Sequence, residues 1–266
     1  MRVLTLNVLS LRDSGDWERR RDALVAGVRA LDPDLVALQE VTDVAEILGP
    51  GWHLAPHSRR DAGLGATLAS RWPFGTVHEI DGVVTEPAAA FPWGGTLVAE
   101  VLSPEPVHVV HHKPVYQLPY ERERELHAVA AARLVEEVVP DPDRHVVLLG
   151  DFDARPDAAC MRFWTGRQSL DGTSVCYHDA WESVHGDEPG HTFTPENPLV
   201  RAGGMRLVRG RRIDYVLIRG GSHGPTLQVR SCERALVDPV DGVQASDHYG
   251  VFAELVAPPW REDGPG

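Results

Sequence analysis

The apolar run His145-Val146-Val147-Leu148-Leu149 leads straight into Gly150-Asp151-Phe152-Asp153-Ala154-Arg155-Pro156, so a buried strand delivers two carboxylates to a loop. Near the C-terminus, Ala245-Ser246-Asp247-His248 opens a second strand-like stretch, Tyr249 to Val256, and adds a third carboxylate and an imidazole at another strand edge. Acidic groups and a histidine at the ends of buried strands point to metal-assisted hydrolysis.

The segments between them alternate strands and helices. Asp16 is placed to cap a helix whose apolar positions Trp17, Leu24, Val25, Val28 and Leu31 recur at helical spacing before Asp32-Pro33 stops it. Leu35 to Leu38 is a short apolar run ending at Gln39-Glu40, a strand edge where a charged group can face a cleft. Gly63 to Ser70, Thr96 to Leu102 and Val107 to His111 read as further strands, bounded by Gly or Pro. Glu121 to Val139 reads as a helix with Leu126, Val129, Ala130, Leu134 and Val138 on one stripe, broken by Pro140-Asp141-Pro142-Asp143. Beyond Pro156 the sequence predicts a short helix, a long irregular region, and strands at Arg211 to Ile218, Leu227 to Arg230 and Tyr249 to Val256.

A chain of 266 residues with 42% hydrophobic content can close a substantial core as one domain, and residues 1–257 are expected to form it, with 258–266 a Pro- and Gly-rich tail. The net charge of -13 creates a field that repels a polyanion, which disfavours duplex DNA as a partner. Cys160, Cys176 and Cys232 are scattered, with no spacing for a zinc site or a disulfide framework. Met1 runs almost directly into Val3-Leu4-Thr5-Leu6, with no signal-peptide pattern and no apolar run of membrane-spanning length, so the expected location is the cytoplasm and no transmembrane segment is expected.

Together with Leu4-Thr5-Leu6-Asn7, Leu38-Gln39-Glu40 and Arg212-Ile213-Asp214-Tyr215, these motifs make the chain resemble the endonuclease/exonuclease/phosphatase superfamily over nearly its whole length. The resemblance implies an α/β fold of two packed β-sheets flanked by helices, a four-layer sandwich with the site at one end of the sheets. It implies a divalent cation, Mg²⁺ with Mn²⁺ as substitute, with Glu40 as principal ligand, Asn7 orienting it or completing the shell, and Asp247 close enough to help. Asp151 is then the base that orients and deprotonates the attacking water. Asp214 pairs with His248, fixing its tautomer and favouring an imidazolium that stabilises charge at phosphorus or on the departing oxygen. His112 aligns with the second phosphate-facing histidine of the family, with His111 the alternative in the other register.

The chain departs from the family at Asp153, where the pattern Gly-Asp-Phe-Asn becomes Gly-Asp-Phe-Asp. An ionised carboxylate repels phosphate and cannot donate, so Asp153 is expected either to contact an additional metal or to have a raised pKa. Lys113 is the only lysine, and beside His112 it is expected at the cleft mouth as a phosphate contact. The aromatics around Phe91-Pro92-Trp93, Pro114 to Tyr120 and Met161 to Trp164 either receive a substrate ring or anchor the core. The function expected is Mg²⁺-dependent hydrolysis of a phosphodiester or phosphomonoester in a small molecule or lipid head group. The alternatives are a nuclease acting on DNA or RNA, and a silent relative that binds phosphorylated ligands or a protein.

Overall fold

The structure, a computed structural model, describes residues 1–10 and 16–258. In chain order it contains β1 (Arg2–Asn7), α1 (Trp17–Leu31), β2 (Leu35–Val41), α2 (Ala45–Leu48), β3 (His53–Pro56), β4 (Gly65–Ser70), β5 (Phe74–Asp81), α3 (Glu86–Ala89), β6 (Gly95–Val101) and β7 (Val107–Lys113). There follow α4 (Glu121–Val138), β8 (Val146–Asp151), α5 (Ala159–Trp164), β9 (Tyr177–Asp179), α6 (Ala180–His185), α7 (Pro198–Ala202), β10 (Asp214–Gly221), β11 (Gly224–Pro225), β12 (Gln228–Ala235) and β13 (Gly250–Val256).

The strands form two mixed sheets. A six-stranded sheet has the order β12-β13-β1-β2-β4-β3, and a seven-stranded sheet the order β11-β10-β8-β7-β6-β5 with β9 paired to β10. Val3, Leu35, Leu68, Val109, Leu149 and Val216 meet between them and exclude water. On the outer face of the first sheet, Leu4, Leu6, Val36 and Leu38 pack against Leu24 and Val28 of α1. On the outer face of the second, Val110, Leu148 and Leu217 pack against Ala128, Ala132 and Val135 of α4 and Met161 of α5. These layers are the helix-flanked two-sheet sandwich expected from the sequence.

Local chemistry explains the helix limits. Asp16 caps α1 through Arg19 N, and Asp32 closes it in the left-handed region, with its N–H on Val28 O. In α4 the buried stripe is rotated from the one read in the sequence. Ala128, Ala131, Ala132 and Val135 are buried together with Val129 of the expected stripe, while Leu126, Ala130, Leu134 and Val138 are half-buried. Small side chains let the helix axis approach the sheet, and the bulkier ones lie along the flanks. The region beyond α5 is more regular than expected and holds β9, α6 and α7, while β3 and β5 carry no sequence signal that singled them out. Residues 259–266 of the expected tail lie outside the described residues.

Candidate active site

Both sheets end at one cavity of about 190 Å³, whose wall includes Glu40, Asp151, Asp153, Asp247 and His248. β1 and β2 run parallel with Asn7 opposite Gln39. The ladder between β2 and β4 shifts register between Leu38 and Val41, and Glu40 adopts φ +50°, a left-handed backbone that a non-glycine residue holds only where its surroundings enforce it. Asp151 and Asp214 end the antiparallel β8–β10 ladder directly opposite one another. Gly150 precedes Asp151 where β8 lies against β7, and a Cβ there would run into the His112 carbonyl oxygen, so the motif requires glycine at this position.

Asn7 joins the two sheets. Its Nδ2 donates to Glu40 Oε1 at 3.1 Å and to Asp151 Oδ2 at 3.0 Å, while its Oδ1 accepts from Leu9 N at 3.1 Å. The segment bearing Asp247 and His248 is tied to the same strand by Ser246 Oγ, which donates to Asn7 O at 2.7 Å. Burial raises the Glu40 carboxyl to about 7, against the pull of Lys113 and with Asp247 adding to the rise. Burial also opposes the charge on Asp151, but Lys113, His248 and Asn7 outweigh it and hold the carboxyl down at about 2.

His248 Nδ1 lies 3.0 Å from Asp214 Oδ2. Burial disfavours the imidazolium, yet Asp214 and Asp151 together raise its pKa to about 10. Burial raises Asp214 to about 6 in spite of the His248 charge. The pair is positioned by residues whose purpose the sequence did not disclose. Thr192 Oγ1 accepts from the backbone N–H groups of Ile213 and Asp214 at 3.1 and 3.3 Å. Asn197 caps α7 and donates to Ser246 O at 2.9 Å. Phe193 packs against the His248 ring, centroids 5.1 Å apart.

β7 requires a correction to the sequence reading. Its alternation turns His112 toward α4 and α5, where the ring packs on His127, Phe152 and Trp164 and shares the Thr96 hydroxyl with His127. His112 is therefore buried on the helix side and does not line the cavity. His111 points between the sheets and accepts from Gln39 Nε2 at 2.8 Å. The residue that β7 sends toward Asp151 and Asp153 is Lys113. Expected at the cleft mouth, it is 1% exposed, donates to Asp151 Oδ2 at 2.8 Å and pairs with Asp153. Burial pulls its pKa down, and Asp151, Asp153 and Glu40 drive it above its ordinary value.

Asp153 sits at φ +52° with its N–H on Asp151 Oδ1 at 3.1 Å. Burial and the neighbouring Asp151 raise its pKa, and Lys113 pulls the other way. Phe163 and Trp164 are core residues, whereas Tyr116 lines the cavity.

Among the described residues one group has its donor atoms within 4.8 Å of one another, Asp151, Asp214 and His248. His248 is already committed as a hydrogen-bond donor to Asp214, so this group reads as a proton-handling unit. The oxygen donors Glu40 and Asp247 suit a hard divalent cation, and the carboxylates at this cavity outweigh the charges of Lys113 and His248, so the residues present fit such an ion. With its amide N–H on both carboxylates, Asn7 is arranged to orient Glu40.

A sequence model described as the endonuclease/exonuclease/phosphatase family matches residues 4–248. No curated protein sequence matches the chain. Among solved structures, truncated Caenorhabditis elegans TDP2 superposes with a TM-score of 0.74 at 18% identity, covering 96% of this chain and 97% of that one. D. rerio TDP2 complexed with a single strand DNA product gives 0.72 at 18% identity over 96% and 98% of the two chains. The human Nocturnin catalytic domain with a bound sulfate anion gives 0.72 at 17% identity over 97% and 93%.

Proposed function

The chain belongs to the endonuclease/exonuclease/phosphatase family and is thus a metal-dependent hydrolase of phosphoester bonds, and on that premise we propose that it uses Mg²⁺ to hydrolyse a phosphodiester or phosphomonoester of a small molecule or lipid head group. The observation that carries this reading is the convergence of Asp151, held by Asn7 and Lys113, with the Asp214–His248 pair on the cavity that Glu40 and Asp247 also line.

Each residue has a task in this scheme. Glu40 and Asp247 would hold the cation, with Asn7 fixing the Glu40 carboxylate. When bound, the cation supplies positive charge against the phosphate oxygens. Asp151 stays ionised and accepts the proton of the attacking water. His248, protonated by virtue of Asp214, offers its second N–H to the charge developing on phosphorus or on the departing oxygen. Lys113 pairs with Asp153 as well as with Asp151, so the carboxylate that departs from the family pattern meets a cation it shares with the proposed base.

Two features favour a small substrate. The formal charge of -13 opposes a polyanion, and a cavity of about 190 Å³ suits a compact phosphoester. Likeness to a fold solved with a single strand DNA product supports a second reading, a nuclease. Turnover of bis-p-nitrophenyl phosphate with Mg²⁺, lost on chelation and in Asp151→Ala, tests the hydrolase mechanism. A panel of nucleotides, inositol phosphates, phospholipids and oligonucleotides at low salt then separates the readings, and strong preference for the oligonucleotides would replace the first with the second.

A further inference from the structure

Arg211 lines the same cavity as Asp151 and His248 and is 7% exposed, yet among the described residues no carboxylate pairs with it. Its Nε has no hydrogen-bond partner among the described residues, Nη2 reaches the Met205 sulfur at 3.8 Å, and the guanidinium stacks 5.0 Å from the Phe193 ring. The adjacent Arg212 shows the usual solution, buried but paired with Asp179 and Glu182. A buried charge without a partner is costly. The placement is fixed by the backbone, since Arg211 N–H donates to Phe193 O at 2.8 Å and Arg211 O accepts from the N–H groups of Thr192 and Phe193 at 2.9 Å. The same Phe193 ring touches His248, so the guanidinium and the imidazole of the proposed reaction both pack on one aromatic ring.

We infer that Arg211 is a second anion-recognition point of this cavity, and that the substrate is a small phosphoester bearing a further anionic group, a second phosphate or a carboxylate, about one ring away from the reacting phosphorus. A guanidinium fork grips either group through paired N–H donors, and the ligand supplies the countercharge that the protein withholds. The inference rests on the phosphoesterase reading and narrows it.

The test compares butanediol bisphosphate with butyl phosphate as substrates of the Mg²⁺-loaded enzyme, with a trinucleotide carrying flanking phosphates as a third arm. KM for the bisphosphate is expected about tenfold below that for the monoester, and the ratio is expected to fall to near one in Arg211→Met, with Arg211→Lys between them. Arg211→Met is expected to melt no lower than the parent, because methionine suits a lining of Met205, Phe193 and Val200. A ratio near one in the parent, or one that Arg211→Met leaves intact, overturns the inference while monoester turnover keeps the hydrolase reading standing. Arg211-dependent preference confined to the trinucleotide overturns the small-molecule assignment. If neither the esters nor the trinucleotide is turned over, the proposed hydrolytic mechanism falls, and calorimetric titration with the bisphosphate decides the anion site by itself. Weaker binding to Arg211→Met upholds the site, and equal binding removes it.

Discussion

Lys113 and Asp151 form an ion pair at 2.8 Å with both side chains 1% exposed, and Asp153 shares the same ammonium. Removing the cation leaves two carboxylates close together and out of water. Lys113→Met is expected to destabilise the fold by about 3–5 kcal/mol in urea denaturation. Adding Asp153→Asn to it is expected to recover part of the loss, with a coupling on the order of 0.5–3 kcal/mol. Strict additivity of the two changes would show that the pair is not a unit.

Asp151→Asn keeps an oxygen to accept from Lys113 or Asn7 but offers no carboxylate for the water proton. A fall in kcat of about 10²–10⁴-fold is expected, with a circular dichroism spectrum like that of the parent. A kcat within a factor of a few of the parent would assign the base elsewhere.

In the proposed scheme Glu40 binds the cation and Asn7 orients Glu40, and the two tasks are separable by mutation. Asn7→Ala is expected to weaken Mg²⁺ by about 10–100-fold, because Glu40 loses its 3.1 Å anchor. Glu40→Gln is expected to weaken it further. Mg²⁺ titrations of turnover, paired with direct Mn²⁺ binding by electron paramagnetic resonance, give both affinities. Unchanged Mn²⁺ binding in Glu40→Gln would relocate the ion.

His248 titrates at about 10, because Asp214 and Asp151 overcome burial. Its folded pKa lies above the unfolded value, so its contribution to stability is complete below about 6.5 and is lost as the pH rises through about 10. The alkaline limb of kcat/KM is expected to follow the same proton. Asp214→Asn is expected to move that limb to lower pH, and a limb that stays in place would dissociate the profile from His248.

Burial holds other histidines neutral, His57 down to about 3, His127 down to about 4, and His111 and His112 well below the ordinary value. With folded values below the unfolded one, their stabilisation is present above about 6.5 and is lost as the pH falls toward 3, since only the unfolded chain takes up the protons. Each contributes a slope of about 1.4 kcal/mol per pH unit across that window. Urea melts between pH 7 and 4.5 are expected to show the decline and His127→Gln to flatten it, and equal slopes in parent and variant would exclude this cause.

The sequence marked the residues at strand ends well and the orientation within a strand poorly. Glu40, Asp151, Asp247 and His248 each stand where an apolar run meets a loop, a signal visible without coordinates, whereas Asn7 and Asp214 were marked only by the family resemblance, and the fold brings all six together. His111-His112-Lys113 offered no such guide. Three consecutive polar residues alternate faces, and the apolar residues before them are buried on both sides, so pattern alone does not tell which one meets Asp151. The helix face of α4 was read correctly at Val129 and at the flanking Leu134 and Val138 but not at its centre, because alanine is silent on a hydropathy pattern yet decides how closely a helix can dock. Arg211 and Thr192 depend on a bridge between distant loops, which leaves no local trace.

The bridge made by the Asn7 amide has an evolutionary and practical corollary. Because a single side chain stitches together groups supplied by opposite halves of the sandwich, neither half on its own holds a finished catalytic apparatus. A protein whose halves part by even an ångström or two, through heat, denaturant or a distant core mutation, should fall silent while its spectrum still reports native strands and helices.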